Sequence, residues 1–173
     1  MNAPLELETE RLKLRQLRES DLDAHTKMTS DPEVMKFLGD GKPLDRAQSW
    51  RTMAGILGHW QLRGFGFWAM EEKRSGTLVG RAGLWMPEGW PMLEVGWTLA
   101  KEHWGKGYAT EVGKTALRVA FERGATKVCS LIMPGNTRSI AVAERLGEKL
   151  EGPVKVTTFE CLLYSVTPST ASL

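Results

Sequence analysis

Cysteine is scarce in this chain. There are two, Cys129 and Cys161, each inside an apolar run (KVCSLIM and FECLLYSV). No CxxC pair exists, and the three histidines, His25, His59 and His103, are scattered. That leaves no ligand set for a structural zinc, so no metal is expected, and both cysteines read as small buried hydrophobes. No apolar run approaches the ~20 residues of a membrane-spanning helix. The opening MNAPLELETERLKLR carries charges where a signal peptide needs an apolar core. A cytoplasmic protein without a membrane partner is the expectation. An excess of one charge is missing as well: 23 Lys and Arg stand against 21 Asp and Glu, a net of +2. That balance argues against a nucleic-acid partner. Tyrosine is rarer than tryptophan, two against seven.

What is present is the composition of one folded domain. The 173 residues are 42% hydrophobic and 25% charged, ordinary for a globular chain with a sizeable core. There is no internal repeat and no low-complexity linker. A single domain over residues 1–167 is expected, followed by a small polar tail, PSTASL at 168–173, that frays.

Residues 9–17 alternate around Leu12, Leu14 and Leu17, a first strand. Ser20 offers an N-cap to a helix with Asp21 and Asp23 in its first turn, and Asp31-Pro32 breaks it. Residues 44–62 carry Trp50, Met53, Ile56, Leu57 and Trp60 at helical spacing. Strands follow at 67–71, 77–85 and 93–99. A helix is expected over 108–123, a buried strand over 127–133, a helix over 137–146, and two closing strands near 154–156 and 159–166. This order describes an α/β (α+β) domain: a mixed, mostly antiparallel sheet of six to seven strands with helices on both faces.

Gly105-Lys106-Gly107 lies between a strand and a helix. Such a junction leaves the first helical N–H groups unsatisfied, the helix dipole favours negative charge there, and glycine lets a phosphate come close. A tight turn with no ligand is the alternative. Two familiar phosphate motifs fail. Gly113-Lys114-Thr115 could end a Walker loop, but its first glycine falls on Tyr108, and a dinucleotide fingerprint would need glycine at Thr110.

The stretches LEVGWTLAKEHWGKGYATEVGKTAL and IMPGNTRSIAVAERLG resemble the GCN5-related N-acetyltransferases. TERLKLRQLRESDLDA resembles the branch that acetylates the N-termini of ribosomal proteins. The likeness spans nearly the whole chain, in four separated features: the TERLxLR strand, the GTLVG strand from Gly76 to Gly80, the WGKGYATE loop and the PGNxxS strand end. It implies acetyl-CoA as the acetyl donor, with its pyrophosphate on Gly105, Lys106, Gly107, Tyr108, Ala109 and Thr110. The pantetheine arm would run along Trp97, Thr98 and Leu99 as a pseudo-strand, where that strand diverges from the one at 127–133. Asn136 would face the arm from the other side. Three departures stand out. Trp104 replaces the usual Gln or Arg, as is common in the ribosomal-protein branch. Ala143 stands where many members have a tyrosine near the leaving thiolate. Glu148 stands where an aromatic is usual.

The resemblance implies direct attack by the amine within a ternary complex, so no nucleophilic residue is needed. A backbone N–H near Trp97 or Thr98 would polarise the thioester carbonyl. Glu94 is the first choice of base, with a strand-end carboxylate in a salt bridge as the alternative. His103 is a second base by chemistry, and His59 reads as packing. Ser139 is the candidate acid, with helix capping as the alternative. The acceptor is an amine: a protein N-terminus by branch resemblance, or a small amine such as an amino acid, polyamine or antibiotic. Trp50, Trp60, Trp85, Trp90 and Trp97 could line a pocket for the latter, although Trp60 and Trp68 read better as core. A CoA-binding module without catalysis is a third reading. A homodimer through the last strands is compatible with the family.

Overall fold

A computed structural model describes all residues 1–173. The chain alternates β1 (Leu7–Glu8), β2 (Leu12–Arg15), α1 (Leu22–Thr29), α2 (Pro32–Met35), α3 (Arg46–Arg63), β3 (Phe67–Glu72), β4 (Leu78–Trp85) and β5 (Glu94–Leu99). It continues with α4 (Tyr108–Glu122), β6 (Val128–Ile132), α5 (Thr137–Arg145), β7 (Lys149–Val156) and β8 (Phe159–Val166). One open sheet holds all eight strands in the order β1-β2-β3-β4-β5-β6-β8-β7. The expectation of six to seven strands is corrected to eight. The addition is β1, two residues that pair with Leu14 and Lys13; no pattern of period two can show in so short a segment. β7 also begins earlier than expected, because the bulge between Leu150 and Gly152 interrupts its alternation.

Every strand pairing is antiparallel except β5 with β6, which run parallel and share one paired position, Glu94 with Cys129. Beyond that rung the two strands separate. β5 stays bonded to β4 along its length, while β6 follows β8 from Val128 to Ile132. This fork places the site.

The helices form where the sequence caps them. Asp45 accepts from the Gln48 backbone N–H at 2.7 Å, and Gln48 returns a bond to the Asp45 N–H, a capping box that starts α3. Gly64, in the left-handed conformation at φ 75°, ends it. Gly113 on α4 is a packing glycine: a Cβ there would lie 2.7 Å from Leu146, so it lets α4 and the end of α5 approach. α1 packs against α3 and β4, and α4 against β4, β5 and α5. The core includes Leu12, Leu14, Trp68, Val79, Leu84, Val95, Val112, Leu117 and Leu146. Arg15 on β2 is buried and pairs with Asp21 at 2.7 and 2.8 Å, pinning the start of α1 to the sheet. The residues after β8 are tied back, since the Ser172 N–H donates to the Leu146 carbonyl at 3.0 Å.

No helix is long and apolar enough to cross a membrane. Both cysteines are buried and unpaired.

Candidate active site

The fork exposes one edge of β5. The Leu93 carbonyl accepts from the Cys129 N–H at 2.9 Å, Val95 O from Ser130 Oγ at 2.9 Å, and Leu99 O from Trp104 Nε1 at 2.9 Å. Backbone groups of alternate residues share a side of a strand, so Trp97 turns its N–H and C=O into the gap as well. Thr98 turns its own toward β4, where it pairs with Arg81. Of the two residues expected to offer an N–H, the geometry selects Trp97.

The glycine loop follows. Gly105 and Gly107 are left-handed, at φ 74° and 80°, and Gly107 is the N-cap of α4 without any side-chain cap. The Glu111 N–H returns to the Gly107 carbonyl at 3.0 Å. The N–H groups of Tyr108, Ala109 and Thr110 therefore face outward from a fifteen-residue helix. Arg11 locks the loop: it donates to the Lys106 carbonyl at 2.7 Å and to Glu111 Oε2 at 2.7 Å, while Thr9 Oγ1 donates to Glu111 Oε1 at 2.5 Å. The TERL segment and the WGKGYATE loop, a hundred residues apart, are thus one clasp. A cavity of about 1100 Å³ opens here. Leu99, Gly105, Gly107, Tyr108, Ala109 and Thr110 line it, as do the cations Lys36, Lys114, Arg138 and Arg145. Arg138 lies over the Trp104 ring at 4.3 Å. The Lys106 side chain does not face this cavity; its Nζ lies 3.3 Å from His103 Nδ1.

A second cavity of similar volume lies between α3 and the β3–β4–β5 face. Trp97, Thr98, Asn136 and Ser139 line both cavities, which meet at the fork. Glu94 stands in the second. Its Oε2 accepts from Trp90 Nε1 at 2.5 Å, and the Leu131 backbone N–H faces its carboxylate closely enough to favour the charged form. Burial pushes its pKa up to about 7, against the pull of Trp90, the Leu131 N–H and Arg81. A carboxylate poised near neutrality is suited to proton transfer. His59 has no free lone pair for that task. Nδ1 bonds the Phe65 carbonyl at 2.7 Å, Nε2 accepts from the Met86 N–H at 3.1 Å, and the ring stacks on Trp85 at 4.1 Å.

The tryptophans divide as follows. Trp85, Trp90 and Trp97 line the second cavity. Trp60 and Trp68 are core, their indoles bonded to the carbonyls of Phe67 and Pro4 at 3.0 Å each. Trp50, expected in the pocket, is 47% exposed on α3 and lines neither cavity.

Asn136 caps α5, its Oδ1 accepting from the Ser139 N–H at 3.3 Å. The Ser139 hydroxyl has no protein partner and borders both cavities. Ala143 is fully buried against Ile132 and Tyr164. Tyr164 comes close to the position of the missing phenol but lines neither cavity. Tyr108 donates its hydroxyl to Glu72.

Two residues escaped the sequence reading. Arg81, on β4, lines the second cavity and lies over the Phe67 ring at 5.1 Å. Glu148, which the family likeness marked only as a departure, is 3% exposed. Its Oε1 lies 3.0 Å from Ser130 Oγ, and its Oε2 has no partner. Burial raises its pKa to about 8, so at pH 7 it is mostly the neutral acid. Ser130 Oγ stands between that carboxyl and the Val95 carbonyl, at 3.0 and 2.9 Å, and Val95 is the residue next to Glu94.

A glycine-capped helix thus stands at one side of the split in the sheet and a carboxylate at the other. The acetyltransferase (GNAT) domain family matches residues 11–149. The chain therefore belongs to the GNAT acetyltransferases and is an acyltransferase. It is 34% identical to the uncharacterized protein YkkB of Bacillus subtilis over 157 residues, 85% of this chain and 87% of that one. It is 30% identical to an uncharacterized N-acetyltransferase, p20, of Bacillus licheniformis, over 84% of this chain and 83% of that one. The crystal structure of an acetyltransferase from Agrobacterium tumefaciens superposes with a TM-score of 0.83 at 31% identity, covering 96% and 95% of the two chains.

Proposed function

We propose that the chain transfers the acetyl group of acetyl-CoA to a primary amine by direct attack at the β5–β6 fork. One observation carries this reading: the cation-lined cavity at the start of α4 and the cavity holding Glu94 meet at Trp97, Thr98, Asn136 and Ser139. The outward N–H groups of Tyr108, Ala109 and Thr110, with Gly105 and Gly107, suit the pyrophosphate. The open backbone of Trp97 and the N–H of Leu99, whose carbonyl is taken by Trp104, suit the amides of the pantetheine arm, with Asn136 opposite. Acetyl-CoA supplies an acetyl thioester.

Reaction needs a neutral amine, because an ammonium has no lone pair. Glu94 takes the proton that the amine loses as nitrogen bonds to the acetyl carbon. The Trp97 N–H meets the negative charge that develops on the carbonyl oxygen. As the carbon–sulfur bond breaks, its electron pair stays on sulfur, Ser139 offers the sulfur a proton, and the proton that Glu94 took returns to Ser139 through solvent, resetting both residues. The balance is one amide and one thiol from one amine and one thioester.

The acceptor enters from the α3 side. The protein N-terminus reading leaned on the TERLKLR segment. In the structure Thr9 and Arg11 of that segment hold Glu111 and the loop, a scaffold duty that does not bear on the acceptor. The walls of the cavity bear on it more directly. Thiol release from acetyl-CoA in the presence of a panel of peptides and small amines tests the activity. A protein that binds acetyl-CoA and acetylates none of them would instead be a binding module.

A further inference from the structure

Arg81 reaches the second cavity from β4, and its one close protein contact for the charge is the Phe67 ring, 5.1 Å away. Its guanidinium makes no hydrogen bond and no ion pair, and its Nε is buried without a partner. The carboxylates around it are otherwise engaged. Asp21 gives both oxygens to Arg15 at 2.7 and 2.8 Å. Glu88 and Asp40, on the same cavity wall, are exposed and lie nearest Arg63 and Lys42, at 3.4 and 3.5 Å. Glu94 is more than 4 Å away and takes the Trp90 indole N–H. His25 beside it is buried and uncharged. Arg81 is partly buried, and with its Nε unpartnered its guanidinium is open to an anion entering the cavity.

We propose that Arg81 binds a carboxylate on the acceptor, so that the acceptor is a small amine bearing a carboxylate, of the free α-amino acid kind. This rests on the transferase reading above. Three observations select that chemistry. Arg81 is the Cα partner of Thr98 and lies one rung from Trp97, the N–H donor of the fork, so an anion held there sits close to the reacting carbon. That closeness calls for a short spacing between amine and acid. The guanidinium fork matches the two oxygens of a carboxylate, and a lone guanidinium suits a monoanion better than a phosphate dianion. The surrounding walls, Phe67, Trp85, Trp90 and Ile56, are apolar and suit a hydrophobic side chain on the same acceptor.

The test uses matched trios, an α-amino acid, its amide and its decarboxylated amine, for phenylalanine, leucine and methionine, assayed by thiol release from acetyl-CoA. The acid is expected to exceed both partners by roughly 10–100-fold in kcat/KM in the wild type, as charge-assisted pairing implies. Arg81→Gln should abolish that preference mainly through KM, with acetyl-CoA affinity unchanged, and Arg81→Lys should keep part of it. Amide or amine turned over as well as the acid, a preference that survives Arg81→Gln, or no trio member consumed while acetyl-CoA still binds would each overturn the proposal. Loss of acetyl-CoA binding by the wild type would instead overturn the transferase reading. Arg81 is then read alone by melting shifts with N-acetylphenylalanine and its amide. The acid should raise the wild-type Tm and leave Arg81→Gln unmoved, and equal or absent shifts would contradict the assignment.

Discussion

Trp90 donates its indole N–H to Glu94 Oε2 at 2.5 Å, so the loop between β4 and β5 holds the carboxylate that the β5–β6 rung begins with. The bond opposes the upward push of burial on Glu94. Glu94 must be ionised to accept a proton, so kcat/KM should rise with pH through a limb centred near 7. Glu94→Gln should lower kcat about 10²–10³-fold and remove that limb, with acetyl-CoA affinity kept. Trp90→Phe removes a bond that favours the ionised form and should move the limb to higher pH. A pH–rate profile of the three proteins checks both; an unchanged kcat in Glu94→Gln would end the assignment.

Ser139 is the hydroxyl at the junction of the two cavities. The departing thiol has a pKa near ~8.5 by analogy with cysteine, which makes it a tolerable leaving group unaided. Ser139→Ala should therefore lower kcat measurably, by up to about tenfold, with KM for acetyl-CoA unchanged. Wild-type kcat in steady-state assays would remove Ser139 from the mechanism.

Glu148 makes stability depend on pH. Its folded pKa of about 8 lies above the value of roughly 4.3 in an unfolded chain. The folded state binds more protons between those values, so its contribution is fully present below the lower one and is lost as pH rises through about 8. Glu148→Gln removes this linkage. Chemical denaturation at pH 5 and pH 8 should show the balance moving toward the variant by about 2–4 kcal/mol as pH rises. A constant difference would mean that Glu148 is charged in the fold.

Asp21 anchors α1 through the buried pair with Arg15. Asp21→Asn leaves a buried guanidinium with half its partner and should destabilise the fold by roughly 3–5 kcal/mol. Urea unfolding gives the number, and a loss below about 1 kcal/mol would show that Glu71, which also meets Arg15 at 2.8 Å, carries the charge alone.

Local pattern made the helices, most strands and the loop legible. Gly105 and Gly107 are short-range signals, and they stand at the strand-to-helix junction where the pattern put them. Trp50 was misplaced because helical spacing gives a face but not which end of the helix the cavity reaches. Arg81 and Glu148 could not be read in advance, because their roles come from neighbours on other strands. Arg81 is unpaired only when every nearby acid is placed. Glu148 is buried only because β6 brings Ser130 beneath it. The hundred-residue clasp of Arg11 with Glu111 is of the same long-range kind, although both halves stood out as motifs.

The account turns on acetyl-CoA lying in the fork with its phosphates on the start of α4. Calorimetric titration of acetyl-CoA into the wild type, Glu94→Gln and Gly107→Val tests it most directly. A Cβ at Gly107 sits in a left-handed conformation that costs roughly 1–2 kcal/mol and meets Arg11 at 3.4 Å, so the fold should survive, as circular dichroism can confirm. The prediction is binding by the wild type and by Glu94→Gln with equal affinity, and none by folded Gly107→Val. Tight binding by Gly107→Val, or no binding by the wild type, would contradict it.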